Sequence, residues 1–126
     1  MRGWLPAALL ACALAAHGEP WSFAVIGDTP YSDAERRELP ALLAAAAQSG
    51  ARFILHAGDI KRGKDPCDDA LYADRRALFD AAPIPLIFAP GDNEWTDCAR
   101  LSAGSYLPEE RLAKLRTVFW PDDQSL

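Results

Sequence analysis

The chain has 126 residues, half of them hydrophobic, which allows one domain with a core and no more. Thirteen Lys and Arg against 18 Asp and Glu give a net charge of −5, and a pI near 4.9 argues against a nucleic-acid backbone as partner. Apart from its N-terminus the chain has no long apolar segment, so no stable membrane span is expected.

Residues 1–18 read as a secretory signal. Arg2 supplies the positive start, residues 5–16 form an apolar run too short for a comfortable span, and Ala13-Leu14-Ala15 offers a small-x-small cleavage site. A buried N-terminal helix is the plain alternative. The run Leu9-Leu10-Ala11-Cys12 also resembles a bacterial lipobox, which would place a lipid anchor on Cys12. Export to the periplasm or beyond changes the reading of the cysteines. With Cys12 removed, Cys67 and Cys98 remain, and an even pair in an oxidising compartment reads as a disulfide. Two metal-binding thiolates are the alternative, without a CxxC spacing to support it.

The first strand is expected over residues 21–27, where Phe23-Ala24-Val25-Ile26 runs into Gly27-Asp28. Turn chemistry follows in Thr29-Pro30-Tyr31-Ser32-Asp33. Residues 39–48 read as a helix, with Pro40 in its first turn and the alanines 44–47 as strong helix formers. Ser49-Gly50 ends it. The second strand centres on Phe53-Ile54-Leu55 and closes with Gly58-Asp59; His56 lies within it as a core or supporting residue. Residues 61–66 form a basic loop, read as solvated charge with a possible role in attracting an anionic substrate. A second helix is expected over residues 68–82, and a third strand from Leu86 into Pro90-Gly91-Asp92. Residues 102–106 read as irregular. Pro108-Glu109-Glu110 opens a third helix, which Pro121 stops.

Alternating strands and helices imply a parallel βαβαβ unit with right-handed crossovers. Ligands of such sheets bind beyond the carboxyl ends of the strands. Three strands, each closed by Gly-Asp, would bring Asp28, Asp59 and Asp92 to that edge. Three bare carboxylates repel one another, and a divalent cation resolves the conflict. Helix capping is the simpler role for any one of them. Three strands leave a sheet face or edge without cover, so the mature part, residues 19–126, reads as the first part of a larger domain.

Ile26-Gly27-Asp28, His56-Ala57-Gly58-Asp59 and Pro90-Gly91-Asp92-Asn93-Glu94 resemble, in order and spacing, the first three motifs of calcineurin-like metallophosphoesterases. The likeness covers residues 21–121 and is to a divergent, secreted bacterial branch. It implies the first half of a four-layer α/β/β/α sandwich that hydrolyses phosphate esters at two metal ions of the Mn, Fe or Zn kind. Carried over, Asp28 is a ligand of one metal and Asp59 the ligand that bridges both. Asp92 stands at the family's metal-binding Asn, Asn93 at the catalytic His that contacts the phosphate, and Glu94 at the supporting acidic residue.

The chain departs from the family pattern in several places. Pro30 replaces the His of the first motif, Lys61-Arg62 gives no carboxylate at the end of the second, and the later histidine motifs are absent: the two histidines are His17 and His56. The expected function is therefore that of a phosphoesterase fragment. An exported metal- or phosphate-binding module without catalysis is the alternative. A receiver-like signalling domain, which also clusters Asp at strand ends, is disfavoured by the signal and the cysteine pair.

Overall fold

The computed structural model describes residues 20–122. The residues read as a secretory signal, Cys12 and His17 among them, lie outside the described residues.

Strands β1 (Ser22–Ile26), β2 (Ala51–His56) and β3 (Leu86–Phe88) form one parallel sheet in the order β1-β2-β3. The register pairs Ile26 with His56 and His56 with Phe88, so the three strands stop together. Helix α1 (Asp33–Gln48) connects β1 to β2, and α2 (Asp69–Asp80) connects β2 to β3. Two 3-10 turns, Thr96–Ala99 and Leu101–Ala103, precede α3 (Pro108–Phe119). The α/β class and the parallel βαβαβ order expected from the sequence are both present.

All three helices pack on one face of the sheet. Leu39 and Leu43 of α1, Tyr72 and Phe79 of α2 and Leu115 of α3 share a core with Ile54 and Phe88 of the sheet. The alternation of strand residues sends Ala24, Ile26 and Leu86 to the same side. Their neighbours point the other way. Trp21, Phe23, Val25 and Ile87 remain exposed, and Phe23 stacks on Phe53 with ring centroids 4.9 Å apart. One face of the sheet is thus open and apolar.

Helix α1 begins at Asp33 and not at residue 39. Ser32 caps it, its hydroxyl accepting from the Glu35 N–H at 3.2 Å, and Asp33 and Glu35 add negative charge at the positive end of the helix dipole. Pro40 therefore lies inside the helix, on its exposed side. Apolar periodicity starts only at Leu39, so a polar first turn held by its cap is hidden from that signal. Asp68 likewise caps α2 and is not its first residue; its carboxylate accepts from the Leu71 N–H at 2.8 Å. Residues 102–106, read as irregular, include part of the second 3-10 turn.

The helices are tied to one another and to the loops by arginines. Arg36 of α1 pairs with Asp74 of α2: its Nε lies 2.9 Å from each carboxylate oxygen and its Nη2 donates to Oδ1. Arg75, buried, donates from Nε to the Ile60 carbonyl at 2.9 Å and from Nη2 to the Pro30 carbonyl at 3.4 Å, so α2 holds the loops after β1 and β2 together. Arg111 of α3, also buried, donates to the Cys67 carbonyl at 3.0 Å and stands over the Tyr106 ring at 4.3 Å. None of the described helices is long and apolar enough to cross a membrane.

Candidate functional site

The parallel sheet sends every strand end to one edge, and there the chain turns at Gly27-Asp28, Gly58-Asp59 and Gly91-Asp92. Asp28 and Asp59 have left-handed backbones, with φ of 55° and 59°, a conformation that costs most non-glycine residues energy and that Asp and Asn tolerate best. Two glycines are demanded by close approach. A Cβ on Gly58 would lie 2.3 Å from the Gly91 nitrogen, and one on Gly91 would lie 2.1 Å from an Asp59 carboxylate oxygen. The β2 and β3 loops therefore touch through backbone, with the Asp59 side chain folded over Gly91.

Glu94 fastens these loops from beneath. It is fully buried; its Oε1 accepts from the Gly91 N–H at 2.7 Å and from the Asp59 N–H at 3.0 Å. Its other oxygen, Oε2, is buried without a hydrogen-bond partner. Burial holds the Glu94 carboxyl above its ordinary pKa, against the pull of the two N–H bonds. Tyr72 donates to the Glu94 carbonyl at 2.6 Å and so carries the same loop on α2.

His56 supports the other side. Its Nδ1 accepts from the Gly58 N–H at 3.2 Å, which leaves the proton on Nε2, donated to the Thr29 carbonyl at 2.8 Å. Burial lowers its pKa, in keeping with a neutral ring. The His56 ring thus joins the β1 and β2 loops; Thr29 is itself followed by a cis peptide bond to Pro30.

Asp59 stands at the middle of the edge, as its strand is the middle strand. The Asn93 N–H donates to Asp59 Oδ1 at 3.2 Å. Burial raises the Asp59 pKa; Asp92, close enough to hydrogen-bond it, and the charge of Asp28 act in the same direction. A carboxyl raised in the fold contributes stability that is fully present below its unfolded pKa of 3.8 and is lost as pH rises through the folded value. We therefore expect Asp59→Asn to raise the metal-free melting temperature at neutral pH, with the gain vanishing below the unfolded value. The Asn retains the oxygen that accepts from Asn93 and suits the left-handed backbone. Melting curves across that range check it; a neutral-pH loss would contradict it.

Two residues sit differently from the sequence reading. Lys61, taken as a solvated loop charge, is fully buried, and its Nζ donates to the Arg62 carbonyl at 3.1 Å. Burial lowers its pKa and the nearby Glu94 opposes that shift. Arg62 is exposed and pairs with Asp65, and Lys64 is exposed as well, so the loop is split between one internal cation and two on the surface. Tyr31, read only as part of a turn, reaches the carboxylate edge. Its hydroxyl donates to Asp28 Oδ1 at 2.8 Å and accepts from Asn93 Nδ2 at 3.4 Å. Asn93 Nδ2 also donates to the Lys61 carbonyl at 3.0 Å.

Cys67 and Cys98 form a disulfide, as the cysteine count suggested, with Cα atoms 5.7 Å apart. Both cysteines are fully buried, and both sulfurs lie 3.8 Å from the Asn93 carbonyl oxygen. The bridge therefore staples the loop after Asp59 to the loop after Asp92.

The edge gathers Asp28, Tyr31, Asp59, Asp92 and Asn93 over a base of His56, Glu94 and the disulfide. Among the described residues no three His, Cys, Asp or Glu side chains stand close enough to hold one ion as they are placed. Asp59 and Asp92 are adjacent, and Asp28 is linked to them through Tyr31 and Asn93. Comparison with protein-family models, curated proteins and solved structures finds no match.

Proposed function

We propose that this chain is the N-terminal part of a calcineurin-like, metal-dependent phosphoesterase that hydrolyses phosphate esters at a two-metal site in the periplasm or outside the cell. The observation that carries this reading is the delivery of Asp28, Asp59 and Asp92 by three parallel strands to one sheet edge, with Asp59 central. The donors are hard carboxylate oxygens of the kind that suits a divalent ion; burial first, and then the neighbouring Asp92 and Asp28, push Asp59 toward its neutral form, which a cation would oppose. Asp28, Asp59 and Asp92 would hold it only after drawing together, since as placed no three such side chains among the described residues stand close enough to share one ion. When bound, such an ion polarises a phosphoryl oxygen and lowers the pKa of a water.

The chain's own residues then have distinct tasks. Asp59 ties the edge together, and Glu94 and His56 hold its loops in register. Asn93, at the family's catalytic position, has no proton to give a leaving group as an imidazole does. Its amide hydrogens engage Lys61 and Tyr31, so we assign it a positioning task. The open apolar face fits the four-layer sandwich, in which a second sheet covers the first, and the disulfide supports an oxidising compartment.

The second reading, an exported binding module without catalysis, is favoured by specific substitutions: Pro30 offers no ligand, and Lys61 is sealed inside. One assay separates the two. Mn²⁺-dependent release of nitrophenol from a nitrophenyl phosphate, lost in Asp59→Asn, supports the esterase. Binding of Mn²⁺ and inorganic phosphate without turnover supports the module.

A further inference from the structure

We propose that the loops after β2 and β3 enclose a binding site for one water molecule, held between Lys61 Nζ and Glu94 Oε2. The inference does not depend on the metal reading above. Both side chains are fully buried. Glu94 Oε1 accepts from the Gly91 and Asp59 N–H groups at 2.7 Å and 3.0 Å, whereas Oε2 meets no hydrogen-bond partner. Lys61 Nζ makes one hydrogen bond, to the Arg62 carbonyl at 3.1 Å. Of the charges around Lys61, that of Glu94 acts on it most strongly, yet the two groups do not touch, because no donor reaches Oε2. The loop of Lys61 is packed against the turn that follows Glu94. Asp97 and Arg100, paired at 2.8 Å, lie so close over Gly63 that a Cβ there would strike both.

The chemistry of the two groups selects the ligand. A buried polar atom without a partner is costly, and in native proteins such atoms are met by protein groups or by ordered water. Lysine nitrogen carries three hydrogens when charged and two when neutral. One is used on Arg62, so Nζ has a hydrogen to give in either state. The ligand must therefore accept from Nζ and offer a hydrogen to Oε2. An anion is repelled by the carboxylate, and a metal ion is repelled by the ammonium and finds no lone pair on it. Water accepts and donates at once, and a bridge through it is nearly as favourable in enthalpy as a direct hydrogen bond. The resulting path runs from the Gly91 and Asp59 N–H groups through Glu94, the water and Lys61 to the Arg62 carbonyl. It ties the loop after β2 to the loop after β3 a second time, beneath the carboxylate edge.

The test is a crystal structure of the full, disulfide-bonded chain, grown without divalent metal and fine enough to show ordered water, beside that of Lys61→Met. The substitution keeps the length of the side chain and removes its nitrogen. The expected result is one water in wild type, about 2.7–3.2 Å from both Lys61 Nζ and Glu94 Oε2, and its loss in Lys61→Met. A direct contact between Nζ and Oε2, another protein donor on Oε2, or no density between the two groups would overturn the proposal. A water that stays in place in Lys61→Met would overturn the part given to Lys61. Should Lys61→Met fail to fold, the wild-type density decides alone. None of these outcomes bears on whether the carboxylate edge binds Mn²⁺.

Discussion

Glu94→Ala is expected to destabilise the protein by about 3–5 kcal/mol, the range seen when one partner of a buried charged network is removed. The loss has three sources. The Gly91 and Asp59 N–H groups both lose their acceptor, and each donor left without a partner costs about 1–3 kcal/mol when water cannot reach it. Lys61, fully buried, loses the carboxylate whose charge favours its ionised form. A void also opens beneath the loops where a fully buried side chain stood. Glu94→Gln separates these causes. Its amide oxygen can accept from both N–H groups, and it carries no charge, so it should remain much closer to wild type. Urea denaturation of the three proteins measures the effect. Equal losses for Ala and Gln would show that the charge matters and the two hydrogen bonds do not; no loss for Ala would remove Glu94 from the account of the loops.

Replacing both cysteines by alanine should cost about 3–4 kcal/mol, from the chain entropy that the crosslink removes from the unfolded state. The bridge spans 31 residues, and that loop contains α2 and β3 entirely. For a domain of ordinary stability, about 5–15 kcal/mol, this is a large share. The effect should extend to the site, because both sulfurs abut the Asn93 carbonyl and Cys67 also pairs its N–H with the Ala103 carbonyl at 3.0 Å. The denaturation midpoint of Cys67→Ala/Cys98→Ala should fall well below that of oxidised wild type and match that of reduced wild type. A midpoint unchanged by reduction or by substitution would contradict a structural role for the bridge.

Much of this arrangement is legible in the amino-acid order, for a physical reason. An apolar strand must end where its core ends, and a glycine followed by a carboxylate marks that point three times. The strand ends, their parallel order and the cysteine pair follow from short-range pattern together with simple topology. What was hidden depends on long-range contacts. Lys61 lies in a loop rich in charge, and nothing nearby in sequence shows that it is buried within the field of Glu94. Tyr31 sits among turn formers, and its role depends on Asn93, far along the chain. The start of α1 was hidden because its first turn is polar and held by Ser32, Asp33 and Glu35, outside the apolar repeat. The open sheet face was expected from the strand count, and its aromatic character follows from the alternation of Phe23 and Val25 with Ala24 and Ile26.

The central claim is that the carboxylate edge binds a divalent ion through Asp59. Thermal unfolding with and without Mn²⁺, on wild type and Asp59→Asn, tests it most directly. Ion binding to the native state alone should stabilise wild type by about 2.7 kcal/mol at one hundred times the dissociation constant, seen as a rise in melting temperature that saturates with Mn²⁺. Asp59→Asn, although more stable than wild type without metal at neutral pH, should show little or no such rise. Equal Mn²⁺-induced stabilisation of the two proteins, or none in wild type, would contradict the assignment.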